Sequence, residues 1–346
     1  MIAIGIPSYN EALNISNLVE KIDYYSNKLN EHIIIINSDN NSPDNTSEIF
    51  QNTKTKSNKI SLVTSKKGKG YNLNSIFKEV LKIKECIGCI LIDADITSLD
   101  EQWLYKNFQA LKEHNDYIIP NYKRNFQEGN TTNHFIFPLV QSHIKNCPMQ
   151  LIAGDFGLSR KYIDYIINDV AWHEYAYTYG TDIFLSLHAL YGKFKIKEID
   201  LNSKLHNPSF NKMQNMFLEV ASSYYETKRG IRTEAESLIV TSQNDYRLLT
   251  PQNPIKDIQI KQQRQVAFKL LEKEYISTHP YMSDYEWAKI LYKNELNTEC
   301  SSEKLARDIL PYFLIRVTDY LQTYDNEKVA LNAILNVSRE LRNLNN

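Results

Sequence analysis

Two carboxylates two residues apart, Asp93 and Asp95, interrupt the apolar run Leu91-Ile92-Asp93-Ala94-Asp95-Ile96. Side chains at i and i+2 of a strand share a face, so the two acids repel unless a cation neutralises them. All-oxygen ligation suits Mg2+ or Mn2+, which then bridge to the phosphate oxygens of a substrate. A solvated acid pair at a strand end is the plainer alternative, and apolar Ile92 and Ile96 argue against it. The run Ser65-Lys66-Lys67-Gly68-Lys69-Gly70 offers lysines as point charges for phosphate and glycines that let backbone approach a ligand. It lacks the spacing of a P-loop, and a lysine-rich surface turn is the competing reading. Pro7-Ser8-Tyr9-Asn10-Glu11 and Asp39-Asn40-Asn41-Ser42 are two further polar turns. They could accept hydrogen bonds from a base or ribose, or simply form Asx turns. Four such turns on one sheet edge make a nucleotide-diphosphate cleft.

The elements that must position these turns are legible in the apolar pattern. Ile2–Ile6, Ile33–Asn37, Ile60–Thr64 and Cys89–Ile92 are short apolar runs bounded by turn residues. Between the first two, Ile15, Leu18, Val19, Ile22, Tyr25 and Leu29 recur at helical spacing. Ser42-Pro43-Asp44 reads as a helix start, and Asn74–Ile83 as a further helix. The order β-α-β-α-β-α-β predicts a parallel sheet covered by helices, with ligands at the carboxyl ends of its strands. Residues 101–214 are less regular, and from about Asn215 the pattern is helical, with segments around 261–276, 283–296, 303–322 and 327–344. This divides the chain into 1–214, with halves 1–100 and 101–214, and a helical extension, 215–346. Along the third of those segments Leu305, Ile309, Tyr312, Phe313 and Val317 form an apolar stripe that fits core packing or a homodimer interface, with Pro311 expected to kink the helix.

Composition excludes several classes. The 346 residues carry 40 Lys+Arg against 41 Asp+Glu, a balance that argues against a nucleic-acid-binding protein. The longest aliphatic run, Ile33–Ile36, is far short of the ~20 residues that cross a bilayer. The start, Met1 to Pro7, does not read as a signal peptide, so a soluble cytoplasmic protein is expected. Cys86-Ile87-Gly88-Cys89 has CxxC spacing, but no second ligand pair accompanies it, so buried inert thiols are expected.

Taken together, Ile6 to Glu11, Asp39, Lys67-Gly68-Lys69-Gly70 and Asp93-Ala94-Asp95 resemble the nucleotide-sugar half of a GT-A glycosyltransferase. Asn121-Tyr122-Lys123-Arg124, Gly129-Asn130-Thr131-Thr132-Asn133, Pro138-Leu139, Ala153-Gly154-Asp155-Phe156-Gly157 and Tyr179-Gly180-Thr181-Asp182 narrow the resemblance. They are similar to the retaining synthases of glucosylglycerate, glucosyl-3-phosphoglycerate and mannosylglycerate. The similarity runs over about residues 1–215. It implies an α/β GT-A (Rossmann-like) mixed sheet sandwiched by helices, with an all-helical C-terminal extension.

The resemblance also implies roles. Pro7, Tyr9, Glu11, Asp39 and Ala94 would surround the base and ribose of a UDP- or GDP-hexose, Asp93 would hold the ribose or support the metal, and Lys69 would contact the diphosphate. Asp95 and His206 would ligate Mg2+ or Mn2+. Asp182 would orient the acceptor hydroxyl or the sugar, although a helix N-terminal acid is its simpler reading. Gly129, Asn130, Thr131 and Thr132 would hold the acceptor carboxylate, with Arg124 as a fork and Gly154 and Asp155 beside it. Asn130 stands where phosphoglycerate synthases carry a basic residue, which favours a small unphosphorylated hydroxy acid such as glycerate. The implied activity is metal-assisted hexosyl transfer, catalysed by Asp95, Lys69 and Asp182. Transfer to a protein, lipid or polysaccharide, and a non-catalytic sugar-nucleotide-binding scaffold, are the alternatives.

Overall fold

The computed structural model describes residues 1–144, 146–205, 210, 213–231, 238–240, 246, 248–273 and 281–346. Two compact units form. One comprises Met1–Tyr122, Ile152–Asn207 and Thr227–Ser242, and the other Lys123–Leu151, Pro208–Glu226 and Gln243–Asn346. The boundary read at residue 214 differs from this division, because 123–151 pack with the C-terminal helices. No change of hydrophobic period marks that crossing.

The first unit opens with β1 (Ile2–Ser8), α1 (Ile15–Lys28), β2 (Ile33–Asp39), α2 (Thr46–Asn52), β3 (Asn58–Val63), α3 (Lys69–Lys82) and β4 (Gly88–Leu91). Both β1 and β2 are buried along their whole length, as expected of strands covered on both faces. Next come α4 (Glu101–Lys112) and β5 (Tyr117–Tyr122). Strand β6 (Arg124–Asn125) and helix α5 (Phe137–His143) belong to the other unit. The chain returns with β7 (Gly157–Ser159), α6 (Arg160–Asn168), α7 (Thr181–Tyr191) and β8 (Lys195–Leu201). After α8 (Met213–Gly230), β9 (Leu238–Val240) completes an eight-stranded sheet in the order β3-β2-β1-β4-β7-β5-β8-β9. Strand β7 runs antiparallel to both β4 and β5, and the other pairings are parallel. The sheet is therefore mixed, with Ser8, Asp39 and the residues after Leu91 at the carboxyl ends of neighbouring strands.

Two helix starts differ from the sequence reading. Ser42 does not cap α2, because its hydroxyl donates to Asp39 Oδ1 at 2.6 Å and the helix begins at Thr46. Helix α3 begins at Lys69 rather than near Asn74. Its glycines accommodate protein rather than ligand, since a Cβ on Gly70 would lie 2.0 Å from the Ala176 carbonyl oxygen. The thiols of Cys86 and Cys89 are buried, and burial pushes both above the ordinary thiol range.

In the second unit β6 pairs with β10 (Leu248–Leu249), and four helices follow: α9 (Asp257–Leu270), α10 (Asp284–Glu295), α11 (Ser302–Thr323) and α12 (Glu327–Asn345). The four helical segments expected there are all present. Leu305, Ile309, Phe313 and Val317 of α11 are buried within the unit, and Phe313 stacks on Phe217 with ring centroids 4.0 Å apart. These four stripe residues are core, and Tyr312 is half-buried. Helix α11 runs through Pro311 as a single 22-residue element. Among the described residues, no helix is long and apolar enough to cross a membrane.

On α7, His188 is enclosed by Phe184, whose ring centroid lies 4.8 Å away, and by the Tyr165 hydroxyl, 3.3 Å from Nδ1. Burial, with His173 adding to it, lowers its pKa from 6.5 to about 4. The unfolded chain thus binds the proton first as pH falls, so stability is full above about 6.5 and declines towards 4. The loss attributable to His188 is at most about 3 kcal/mol. Denaturant unfolding at pH 7 and pH 4.5 should show the decline, and His188→Gln should flatten it; an unchanged slope would contradict this origin.

Candidate active site

The carboxyl ends of β1 and β2 are held by a buried polar network. Asp39 accepts from the Ser8 hydroxyl at 3.0 Å, the Ser42 hydroxyl at 2.6 Å and the Ser42 amide at 2.7 Å. Asn72, 1 % exposed, donates to the Ser8 carbonyl and accepts from Ser38, Asn40 and Thr64. Asn40 also accepts from the Gly68 amide at 3.2 Å, which ties the lysine-rich turn to β2. Pro7 lies within buried β1. Lys67 donates to the Tyr9 hydroxyl at 2.7 Å, with its ammonium 4.7 Å from the Tyr9 ring centroid. Asp39 therefore does what the Asx-turn reading required.

Beyond β4 the charges alternate. Lys69, at the first turn of α3, places Nζ 2.9 Å from Asp93 Oδ1 and 3.3 Å from Asp182 Oδ2. Lys204, just past β8, reaches Asp93 Oδ2 at 2.7 Å and Asp155 Oδ2 at 2.6 Å, and donates to the Ala153 carbonyl at 3.0 Å. Asp155 is fully buried. Its Oδ1 accepts from the Asp93 amide at 2.9 Å and its Oδ2 from the Tyr122 hydroxyl at 2.8 Å. Tyr122 in turn accepts from the Trp103 indole at 2.8 Å. The order Asp182–Lys69–Asp93–Lys204–Asp155 alternates in sign, three carboxylates to two ammoniums.

Each pKa follows from burial set against partners. Burial would raise Asp93, but Lys204 and Lys69 hold it well below the carboxylate range. Burial would lower Lys69, and Asp182 and Asp93 overcome this and raise it. Lys204 is likewise raised, by Asp155 and Asp93 against burial. Burial raises Asp182, only partly opposed by Lys69. Asp182 Oδ1 also lies 3.3 Å from Lys69 Nζ, so both carboxylate oxygens face that ammonium.

The structure thus brings together Lys69, Asp93, Gly154, Asp155 and Asp182 from the expected set. Sequence reasoning missed Lys204; the signal was a lysine two residues before His206, in a stretch where attention went to the histidine. The acceptor contact expected of Asp155 does not fit its complete burial beneath Asp93. Asp95, next to buried Ala94, is half-buried and has no hydrogen bond or ion pair among the described residues. Burial raises the Glu11 carboxyl, and beyond the opposing Asn14 hydrogen bond the charges of Asp95, Asp44 and Asp93 raise it further. An acid without a counter-ion, repelling a neighbouring acid, fits a divalent cation. Among the described residues no three His, Cys, Asp or Glu side chains converge as a metal cage, and His206 lies outside those residues.

Arg124, Gly129, Asn130, Thr131 and Thr132 are in the second unit. Gly129 adopts φ +66° beside the Arg124 guanidinium, and the Asn133 amide closes the turn onto the Gly129 carbonyl at 2.8 Å. Asn130 is buried and donates to the Gln127 carbonyl at 3.1 Å, and Thr132 opens a π-helical turn, Thr132–Ile136.

Residues 3–167 match glycosyl transferase family 2, so the chain carries a glycosyltransferase domain there. The match ends before Asp182 and Lys204, which the fold brings back to it. Glucosyl-3-phosphoglycerate synthase from Mycobacterium tuberculosis, in complex with Mn2+, UDP and phosphoglyceric acid, superposes with TM-score 0.53 at 19 % identity, over 66 % of this chain and 78 % of that one. The same enzyme with Mn2+ and UDP-glucose gives TM-score 0.52 at 19 % identity, over 66 % and 78 %. With Mg2+ and UDP it gives 0.50 at 17 %, over 66 % and 79 %. The mixed sheet and its helices are thus of the GT-A type expected from the sequence. No curated protein matches the sequence.

Gly154 tests the charge alternation. At φ +91° it is already in the left-handed region, and an added Cβ would lie 2.5 Å from Asp93 Oδ2 and 3.0 Å from Lys69 Nζ. Gly154→Ala should cost at least about 1–2 kcal/mol from the backbone alone, measured by denaturant unfolding, and should displace Asp93. Wild-type stability in that variant would contradict the packing described.

Proposed function

We propose that the protein is a metal-dependent, retaining hexosyltransferase that moves a sugar from a nucleotide-diphosphate sugar to a small hydroxy-acid acceptor such as glycerate. The observation that carries the proposal is the division of labour at the acid pair. Asp93 is saturated by two lysines, whereas Asp95 keeps its carboxylate for a ligand. The ligands bound in the similar solved structures support the ligand class: UDP, UDP-glucose, Mn2+ or Mg2+, with phosphoglyceric acid or glycerol 3-phosphate.

In this reading Asp95, with His206, holds Mg2+ or Mn2+, which supplies positive charge to the leaving diphosphate. Lys69 stands in the first turn of α3, where its ammonium and the helix dipole both favour phosphate oxygens. Asp93 holds Lys69 charged and in place. Asp182, paired with Lys69, orients the acceptor hydroxyl or the sugar. Pro7, Tyr9, Glu11 and the turn built on Asp39 enclose the base and ribose. The Gly129–Thr132 turn, with Arg124, receives the acceptor carboxylate, and the neutral Asn130 favours glycerate over its phosphate. Retention of anomeric configuration is carried over from the resemblance to the retaining synthases.

The experiment is turnover of UDP-glucose and GDP-mannose with Mn2+ against glycerate, 3-phosphoglycerate and cell lysate. One donor should be consumed with glycerate, and Asp95→Asn should lower turnover by about 10²–10³. Label entering only a macromolecule would remove the small acceptor. No turnover and no binding of any nucleoside diphosphate with metal would remove the enzyme reading.

A further inference from the structure

We infer that Asp155 is a positioning residue, which fixes Asp93 from beneath through its backbone and its side chain at once; the catalytic part of this inference rests on the glycosyltransferase reading above. One Asp155 oxygen takes the Asp93 amide, at 2.9 Å. The other takes the Lys204 ammonium, at 2.6 Å, and Lys204 then grips Asp93 Oδ2 at 2.7 Å. The two paths leave Asp93 Oδ1 directed at Lys69. Asp155 itself cannot swing, because the Tyr122 hydroxyl holds the same oxygen from the end of β5, and the Trp103 indole fixes that hydroxyl. At 0 % exposure Asp155 touches no substrate, so its effect passes through Asp93 and Lys69.

The spacing explains why an acid stands here. A neutral acceptor would satisfy the Asp93 amide, but Lys204 would then have Asp93 as its sole carboxylate among the described residues and be drawn towards it. The Asp93–Lys69 contact would loosen. Supporting groups of this kind commonly cost 10–100-fold in activity when changed.

The test compares wild type, Asp155→Asn, Tyr122→Phe and the double variant. Asp155→Asn should lower kcat by about 10–100-fold, while donor KM stays within about two-fold. Tyr122→Phe should lower kcat several-fold in wild type yet add little in the Asp155→Asn background, since it acts through Asp155. Additive losses, a change confined to KM, or an Asp155→Asn enzyme with wild-type kcat would overturn the inference. A wild type without turnover would instead remove the function proposed above, and amide exchange then decides about Asp155. In Asp155→Ala the Asp93 amide should exchange at least about ten-fold faster, with Leu91 and Ile92 unaffected. Unchanged exchange at Asp93 would overturn the positioning role whatever the activity.

Discussion

The alternation of buried charge from Asp182 through Lys69, Asp93 and Lys204 to Asp155 is the constraint on which the site depends. Burying any one of these groups unpaired would be strongly unfavourable, and removal of one member of a buried pair commonly costs about 3–5 kcal/mol. Each group is tolerable because its neighbours have the opposite sign. The arrangement also fixes geometry, since Asp93 uses one oxygen for each lysine and can hardly turn without losing both contacts.

The fold supplies this alternation from five separate places in the chain. Lys69 opens α3, Asp93 follows β4, Asp155 leads into β7, Asp182 lies in the first turn of α7 and Lys204 follows β8. The antiparallel insertion of β7 between β4 and β5 is decisive, because it runs residues 154–156 back alongside 91–93. There the Leu91 amide donates to the Phe156 carbonyl at 2.8 Å, one step from the Asp93–Asp155 contact. A purely parallel sheet would carry those residues away from each other. Function and topology are therefore linked at a single strand reversal.

Much of this was legible in the sequence. The four apolar runs and the helices between them follow from side-chain period, and the acid pair stood at a strand end as expected. The four C-terminal helices were legible for the same reason. Lys204 was not, because its significance arises only when β8 brings it beside β4, and no local pattern encodes that. The burial of Asp155 was hidden likewise: the acid after Gly154 is expected beside the acceptor until β7 is paired. The role of Gly68 and Gly70 was misread, since glycine signals close approach without saying to what, and here the partner is the turn containing Tyr177. The packing of 123–151 with the distant C-terminal helices was beyond periodicity altogether.

The central claim separates the two acids: Asp93 serves the lysines and Asp95 serves the cation. Anomalous diffraction from crystals grown with Mn2+ and UDP tests it most directly. The account predicts a manganese peak bonded to an Asp95 oxygen, with Asp93 still in contact with Lys69. A peak held between Asp93 and Asp155 in the place of the Lys204 ammonium, with Asp95 uncoordinated, would contradict it.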